Sequence, residues 1–304
     1  MQNLKKYRFF KILIIIFFLI VFVRFIGSQE GKTTTIVART STHDILKDSE
    51  NNTILTITDF RYKANETLTD VDSEWLPINT TIQSSDCDIN YNYCVTKGIY
   101  KANFKTDPTQ GQVVNFNLSG NFITFQPMAL NYITYYGGIE QISMPLNVNG
   151  IPKENSFSYN NVYGNGLSLS YEYLPDMLKE KLTINSLPIP TQENIASLEL
   201  NFILDTNTQH ISINGKDWNF KNDKETSNKV TINDNLGNKI FGLTEPVAID
   251  SNNNYIPINY TFKKQGASLY ISLKTPYEWL INETRVFPII IDPTLEISAI
   301  TTNC

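Results

Sequence analysis

The sequence predicts an all-β protein, made of antiparallel β-sandwich units (one large or two consecutive) after a single N-terminal hydrophobic helix. Three observations predict it. The chain is 41% hydrophobic and 12% aromatic but only 18% charged, and its abundant β-branched and aromatic side chains suit a pleated, half-buried surface better than a helix. Short alternating runs separated by turn residues recur every ten or so positions from Thr53 onward, the spacing of an all-β fold. A continuous apolar run stands at the N-terminus, directly behind a basic cluster.

That run comes first in chain order. Lys5, Lys6, Arg8 and Lys11 precede the uncharged stretch from Ile12 to Val23, and Phe25 and Ile26 extend it past Arg24. Residues 1–27 therefore read as a signal peptide or a signal anchor. The uncharged core suits a signal peptide, since a full span needs about 20 apolar residues. If Lys11 and Arg24 reach the two interfaces, however, Phe9 to Ile26 spans about 27 Å at 1.5 Å per residue and contacts the membrane through residues 9–26. Either way the basic flank stays inside and the body is exported. Residues 28–52 are polar, rich in Thr and Ser, and read as a spacer.

Residues 53–150 form the first β-rich region and 151–294 a second, sandwich-like one, with Asn149-Gly150 before Ile151-Pro152 as the boundary; 295–304 read as a tail. In Leu167-Ser-Leu-Ser-Tyr-Glu-Tyr173 the apolar and polar residues alternate, so one face is buried and the other wet. Asp234-Asn235-Leu236-Gly237 and Asn214-Gly215 supply residues that tolerate left-handed backbone angles and predict two hairpins. Single helical turns are expected at Pro175–Glu180 and Pro276–Leu280.

Compartment clues agree with export. Cys87 and Cys94 flank a turn-forming hexapeptide and are expected to form a disulfide, whereas one Cys pair without a second Cys or His pair is no zinc pattern. N-glycosylation sequons occur at Asn51, Asn65, Asn79, Asn117, Asn259 and Asn282. The net charge of -5, with its basic cluster confined to the N-terminus, argues against nucleic acid as a partner.

Chemistry is sparse. His43 and His210 are the only histidines, and no nucleophile elbow, phosphate loop or His-Glu-x-x-His helix is present. No cofactor or metal is expected. Asp250-x-Asn252-x-Asn254 resembles the opening of a calcium loop, but Tyr255 stands where the loop needs Gly and Thr261 where it needs Glu. Asp205, Asp217, Asp223, Glu278 and Asp292 are available for a glycosidase pair, with nothing to select among them. Tyr132, Tyr135 and Tyr136 beside Gly137-Gly138 form a candidate sugar-stacking platform.

The most specific stretch is Pro276-Tyr-Glu-Trp-Leu280 followed by Arg285-Val-Phe-Pro-Ile-Ile-Ile-Asp-Pro-Thr294, with Asn161-Val162-Tyr163, Leu178-Lys179-Glu180, Gly237-x-Lys239-Ile240-Phe241 and Pro246-x-Ala248-x-Asp250 upstream. In order and spacing these resemble the β-rich region of large modular prokaryotic surface proteins, found upstream of YD-repeat (RHS-type) or DNRLRE-type modules. The resemblance covers about Ser156 to Thr294. It implies a structural role in a cell-surface assembly and carries over no catalytic residue. The expected function is thus a non-enzymatic extracytoplasmic structural or adhesion module, in contact with glycans or other surface proteins; the alternatives are a carbohydrate-binding module and a glycoside hydrolase-like enzyme.

Overall fold

The structure, a computed structural model, describes residues 34–297 apart from 59, 65–67, 70 and 209. The N-terminal apolar segment, the sequon at Asn65 and Cys304 lie outside the described residues. Among the described residues no helix is long and apolar enough to cross a membrane. The fold is nearly all β and its sheets are antiparallel. The chain divides into two units.

The first unit holds β1 (Thr35–Arg39), β2 (His43–Lys47) and β3 (Thr53–Ile57), paired in that order. Two of these strands lie within residues 28–52, which the sequence reading takes for a spacer. The signal there is weak because Ile36-Val37 and Ile45-Leu46 are short apolar pairs without sustained alternation. The turns carry more information: the Asp48 carboxylate accepts the backbone N–H groups of Glu50 and Asn52, each at 2.9 Å, and closes the β2–β3 connection.

The second unit opens with β4 (Arg61–Lys63) and β5 (Trp75–Pro77), which pair with each other. Next come β6 (Tyr93–Val95), β7 (Lys101–Phe104), β8 (Val114–Leu118), β9 (Asn121–Thr134), β10 (Ile139–Ser143), β11 (Ile151–Lys153) and β12 (Ser156–Tyr159). Then follow β13 (Leu167–Tyr173), β14 (Met177–Ile184), β15 (Ile195–Thr206), β16 (His210–Ile213), β17 (Lys216–Asp217), β18 (Lys224–Thr226) and β19 (Val230–Asn233). The remainder is β20 (Lys239–Leu243), β21 (Val247–Ile249), β22 (Tyr255–Pro257), β23 (Asn259–Gln265), β24 (Ser268–Pro276), α1 (Tyr277–Leu280), β25 (Ile289–Asp292) and β26 (Leu295–Ile297).

One sheet runs β18-β23-β24-β15-β9-β8-β7-β6, with β10 also on β9; the other runs β11-β12-β13-β14-β26-β20-β19-β16-β17, with β25 also on β14 and β21-β22 beyond it. Both contribute to one cluster of buried side chains. Leu167–Tyr173 alternates buried and half-buried as its sequence requires. Across the two sheets, ring centroids of Phe104 and Phe157 lie 5.0 Å apart, those of Phe116 and Phe241 5.4 Å, and those of Tyr100 and Tyr173 4.3 Å. Contacts of this kind add about 1 kcal/mol each to the burial of the rings themselves.

Three sequence expectations change. Residues on either side of Gly150 share the cluster, so Asn149-Gly150 separates no pair of cores. Gly150 is needed for a close approach: a Cβ there would stand 2.4 Å from the Phe157 ring. Its N–H donates to Thr106 O. Turn chemistry and tight packing both select glycine, and sequence alone does not separate them. The helical turn expected at Pro175–Glu180 is the start of β14, whereas the one at Pro276–Leu280 is present as α1.

The third change concerns the C-terminal stretch. Asp292-Pro293 reads as the exit from the sheet, with a tail after it. The chain instead re-enters as β26, between β14 and β20. Leu182 pairs with Ile291 and Leu178 with Leu295 in one register, which sets Glu180 opposite Pro293. Proline interrupts the ladder without ending it, because it lacks one donor but leaves the strand direction intact.

Candidate functional site

The platform tyrosines lie at the β9–β10 hairpin. Tyr135-Tyr136-Gly137-Gly138 turns the chain, Gly137 adopts φ 79°, and its N–H donates to Thr134 O. Tyr136 is 89% exposed and Tyr135 61%. The Tyr135 hydroxyl donates to Glu278 Oε1 at 2.8 Å, which fixes that ring against α1 and raises the phenol pKa. Ile139 beside them is also exposed. Tyr132 corrects the sequence reading: it faces the core, fully buried, and its hydroxyl donates to Pro188 O at 2.6 Å. Two-residue alternation along β9 puts Tyr132 inside, while the turn carries Tyr135 and Tyr136 out of the ladder. Glu140, on β10, accepts the N–H groups of Thr191 and Gln192, and these bonds hold its carboxyl below the usual range.

Cys87 and Cys94 are joined by a disulfide with Cα atoms 5.4 Å apart. It closes the loop before β6, and the backbone of Cys94 bridges to Gln83. Of the sequon asparagines, Asn51, Asn79 and Asn282 are exposed, whereas Asn117 and Asn259 are half-buried; the Asn259 amide donates to Glu225 Oε1.

The five candidate carboxylates share no partner with one another. Asp205 accepts the Gln112 amide, Asp217 meets Ser212 and His210, Asp223 lies 4.0 Å from Lys263, Glu278 holds Tyr135, and Asp292 accepts the Thr294 hydroxyl. His210 is a rim residue, its Nδ1 3.5 Å from Asp217.

The calcium-like loop is filled by protein donors. Asp250 Oδ1 accepts the N–H groups of Asn252 (3.0 Å) and Asn254 (2.8 Å), and Oδ2 accepts the Asn254 amide (2.9 Å). Arg285 Nη1 lies 3.3 Å from Oδ2; the Asp250 side chain is 0% exposed and that of Arg285 13%. The Arg285 guanidinium also covers the Trp279 ring, 4.9 Å from its centroid. Burial opposes the charge on Asp250, but the bonds from Asn254, Asn252 and Val286 outweigh it and hold the carboxyl below its usual range. Among the described residues no His, Cys, Asp and Glu group has the grouping of a metal site.

Sequence reading missed Glu180. On β14 the inward row is Leu178, Glu180, Leu182, Ile184, so a carboxyl occupies a core position. Its pKa is pushed up to about 8; burial is the main cause, opposed by the Tyr171 hydroxyl and helped by the charge of Asp292. The alternation in Leu178-Lys-Glu-Lys-Leu182 carries the signal, but reading Pro175–Glu180 as helical breaks the row at Glu180 itself. A cavity of about 20 Å³ adjoins it between the sheets, lined also by Tyr171, Pro293, Phe125, Phe202 and Tyr260. That volume is too small for a sugar ring.

Comparison with protein-family models, with curated proteins and with solved structures finds no match.

Proposed function

We propose that this chain is an exported surface protein whose β body serves as a structural or adhesive module, with the two large sheets forming one β-sandwich. The observation that carries this reading is the Cys87–Cys94 disulfide, since such bonds persist in oxidising compartments and are rare where thiols are kept reduced. The basic cluster and apolar run at residues 5–26 supply the route of export. The resemblance over Ser156–Thr294 supplies the surface context. A core tied by tyrosine hydroxyls to backbone carbonyls suits a unit that must resist pulling, each bond adding about 1 kcal/mol. Protease added to intact producing cells is expected to digest the body while cytoplasmic controls survive. Alkylation without reductant is expected to leave Cys87 and Cys94 unlabelled. Full-length protein that persists with the controls, or free thiols at both positions, would sink the proposal.

A carbohydrate-binding reading draws on Tyr136 and Tyr135, which are exposed beside the Glu278 carboxylate. Flat rings bury the apolar faces of sugars, and a neighbouring carboxylate accepts their hydroxyls. On a glycan array the wild-type protein is expected to retain a sugar that Tyr136→Ala loses at least tenfold. An array blank for the wild type, or equal retention by the variant, removes this reading.

A further inference from the structure

Seven tyrosines are among the largest fully buried side chains: Tyr100, Tyr132, Tyr159, Tyr163, Tyr171, Tyr173 and Tyr260. Five donate to a backbone carbonyl, namely Tyr100 to Leu174 and Met177, Tyr132 to Pro188, Tyr159 to Lys105, Tyr173 to Tyr100 and Tyr260 to Thr244. The other two, Tyr163 and Tyr171, complete no hydrogen bond through their hydroxyls among the described residues, and neither does Glu180 Oε1; the Tyr171 hydroxyl stands close enough to the Glu180 carboxyl to favour its charge without closing a bond to it. These three orphan atoms belong to one neighbourhood. Tyr171 pairs with Glu180 across β13 and β14, and both tyrosines interact electrostatically with its carboxyl.

A buried polar atom without a partner costs on the order of 1–3 kcal/mol, so the two that line one cavity, Tyr171 Oη and Glu180 Oε1, call for an occupant. The cavity beside Tyr171 and Glu180 measures about 20 Å³. An internal water needs roughly 10–15 Å³ and two to four polar partners. The break at Pro293 opens this space, because the ladder partner facing Glu180 has no N–H to offer. The remaining lining is apolar, which favours a neutral occupant over an ion. We propose that this seam is an internal water site, in which one water molecule bridges Glu180 Oε1 and the Tyr171 hydroxyl.

The titratable groups facing Glu180 are Tyr171 on β13, Tyr163 before it, Tyr260 on β23 and Asp292 on β25. Burial raises the three phenols well above their usual value, so they remain uncharged between pH 5 and 7.5, and comparison with Glu180→Gln isolates the response of Glu180. The folded carboxyl keeps its proton up to about pH 8, whereas the unfolded one loses it near 4.5. The folded state therefore binds the extra proton in this window, and stability falls as pH rises. The unfolding equilibrium constant of the full-length wild type is expected to climb about tenfold per pH unit faster than that of Glu180→Gln.

The direct test is crystallography of the full-length protein at a resolution that shows other internal waters. Density within hydrogen-bond distance of Glu180 and Tyr171 is expected in the wild type and in Glu180→Gln, and is expected to vanish in Glu180→Leu. An empty seam in the wild type overturns the proposal, as does a direct Glu180–Tyr171 bond that closes it. Where Glu180→Leu fails to fold, the wild type and Glu180→Gln still decide the matter. Superposed pH profiles for those two proteins would show a solvated, ionised carboxyl and overturn it equally.

Discussion

Ending the chain after Thr294 is expected to abolish cooperative unfolding of the second unit, read as loss of the calorimetric transition and of near-ultraviolet circular dichroism. The reason is the position of β26. It pairs on one side with β14, through Met177–Glu296 and Leu178–Leu295, and on the other with β20, through Phe241–Ile297 and Leu243–Leu295. Without it the ladder from β14 to β20 has no middle strand, and β20-β19-β16-β17 lose their hydrogen-bonded link to the rest of the sheet. Leu295 and Ile297 leave the core, and Glu296 leaves Lys229 and Lys239, to both of which it is paired. A milder variant separates packing from strand loss: Leu295→Ala, at a 2% exposed position, is expected to cost about 3 kcal/mol in denaturant unfolding while the transition stays cooperative. A truncated protein with a full transition would show that β26 is dispensable.

Legibility in the sequence followed the range of the signal. Local periodicity sufficed for β13, β16, β19 and β20, and Asn214-Gly215 and Asp234–Gly237 do close hairpins, with Asn214 at φ 52° and Gly215 at 73°. Long-range pairing was illegible. Nothing local distinguishes Leu295-Glu-Ile297 from a tail, because its partners lie more than fifty residues upstream on β20 and more than a hundred on β14. The site residues divide likewise. The Cys87–Cys94 bond spans seven residues and was readable, and Tyr135 and Tyr136 announce themselves by the glycines that follow. Tyr132 failed because alternation inside a fourteen-residue strand, not proximity to the turn, decides its side. Glu180 failed because the cost of burying a carboxyl is visible only when the opposite sheet is in place.

Replacing Arg285 by Ala is expected to lower the thermal midpoint by about 10 °C, since removing one partner of a buried ion pair leaves the other charge uncompensated. Asp250 has a fully buried side chain, and its carboxylate organises the Asp250–Asn254 turn between β21 and β22. Arg285 meets that carboxylate and stacks on Trp279, so one side chain joins the β21–β22 turn, α1 and the approach to β25. Here the scattered signature pieces Ala-x-Asp, Trp-Leu and Arg-x-aromatic-Pro converge in space. Lysine is expected to rescue the charge but not the stacking, because guanidinium is planar and ammonium is not. Arg285→Lys should therefore fall between wild type and Arg285→Ala. Trp279→Leu should weaken the wild type more than it weakens Arg285→Ala, the coupling that a double-mutant cycle reads. Independent, additive losses would mean that the ring and the guanidinium do not support each other. The Asp250 carboxyl is held below its ordinary value, so the ionised form is the one the fold favours and its stabilisation is complete above the unfolded value. It is lost only as pH falls through the depressed folded value, so the Arg285→Ala deficit should shrink in acid and stay constant from pH 6 upward.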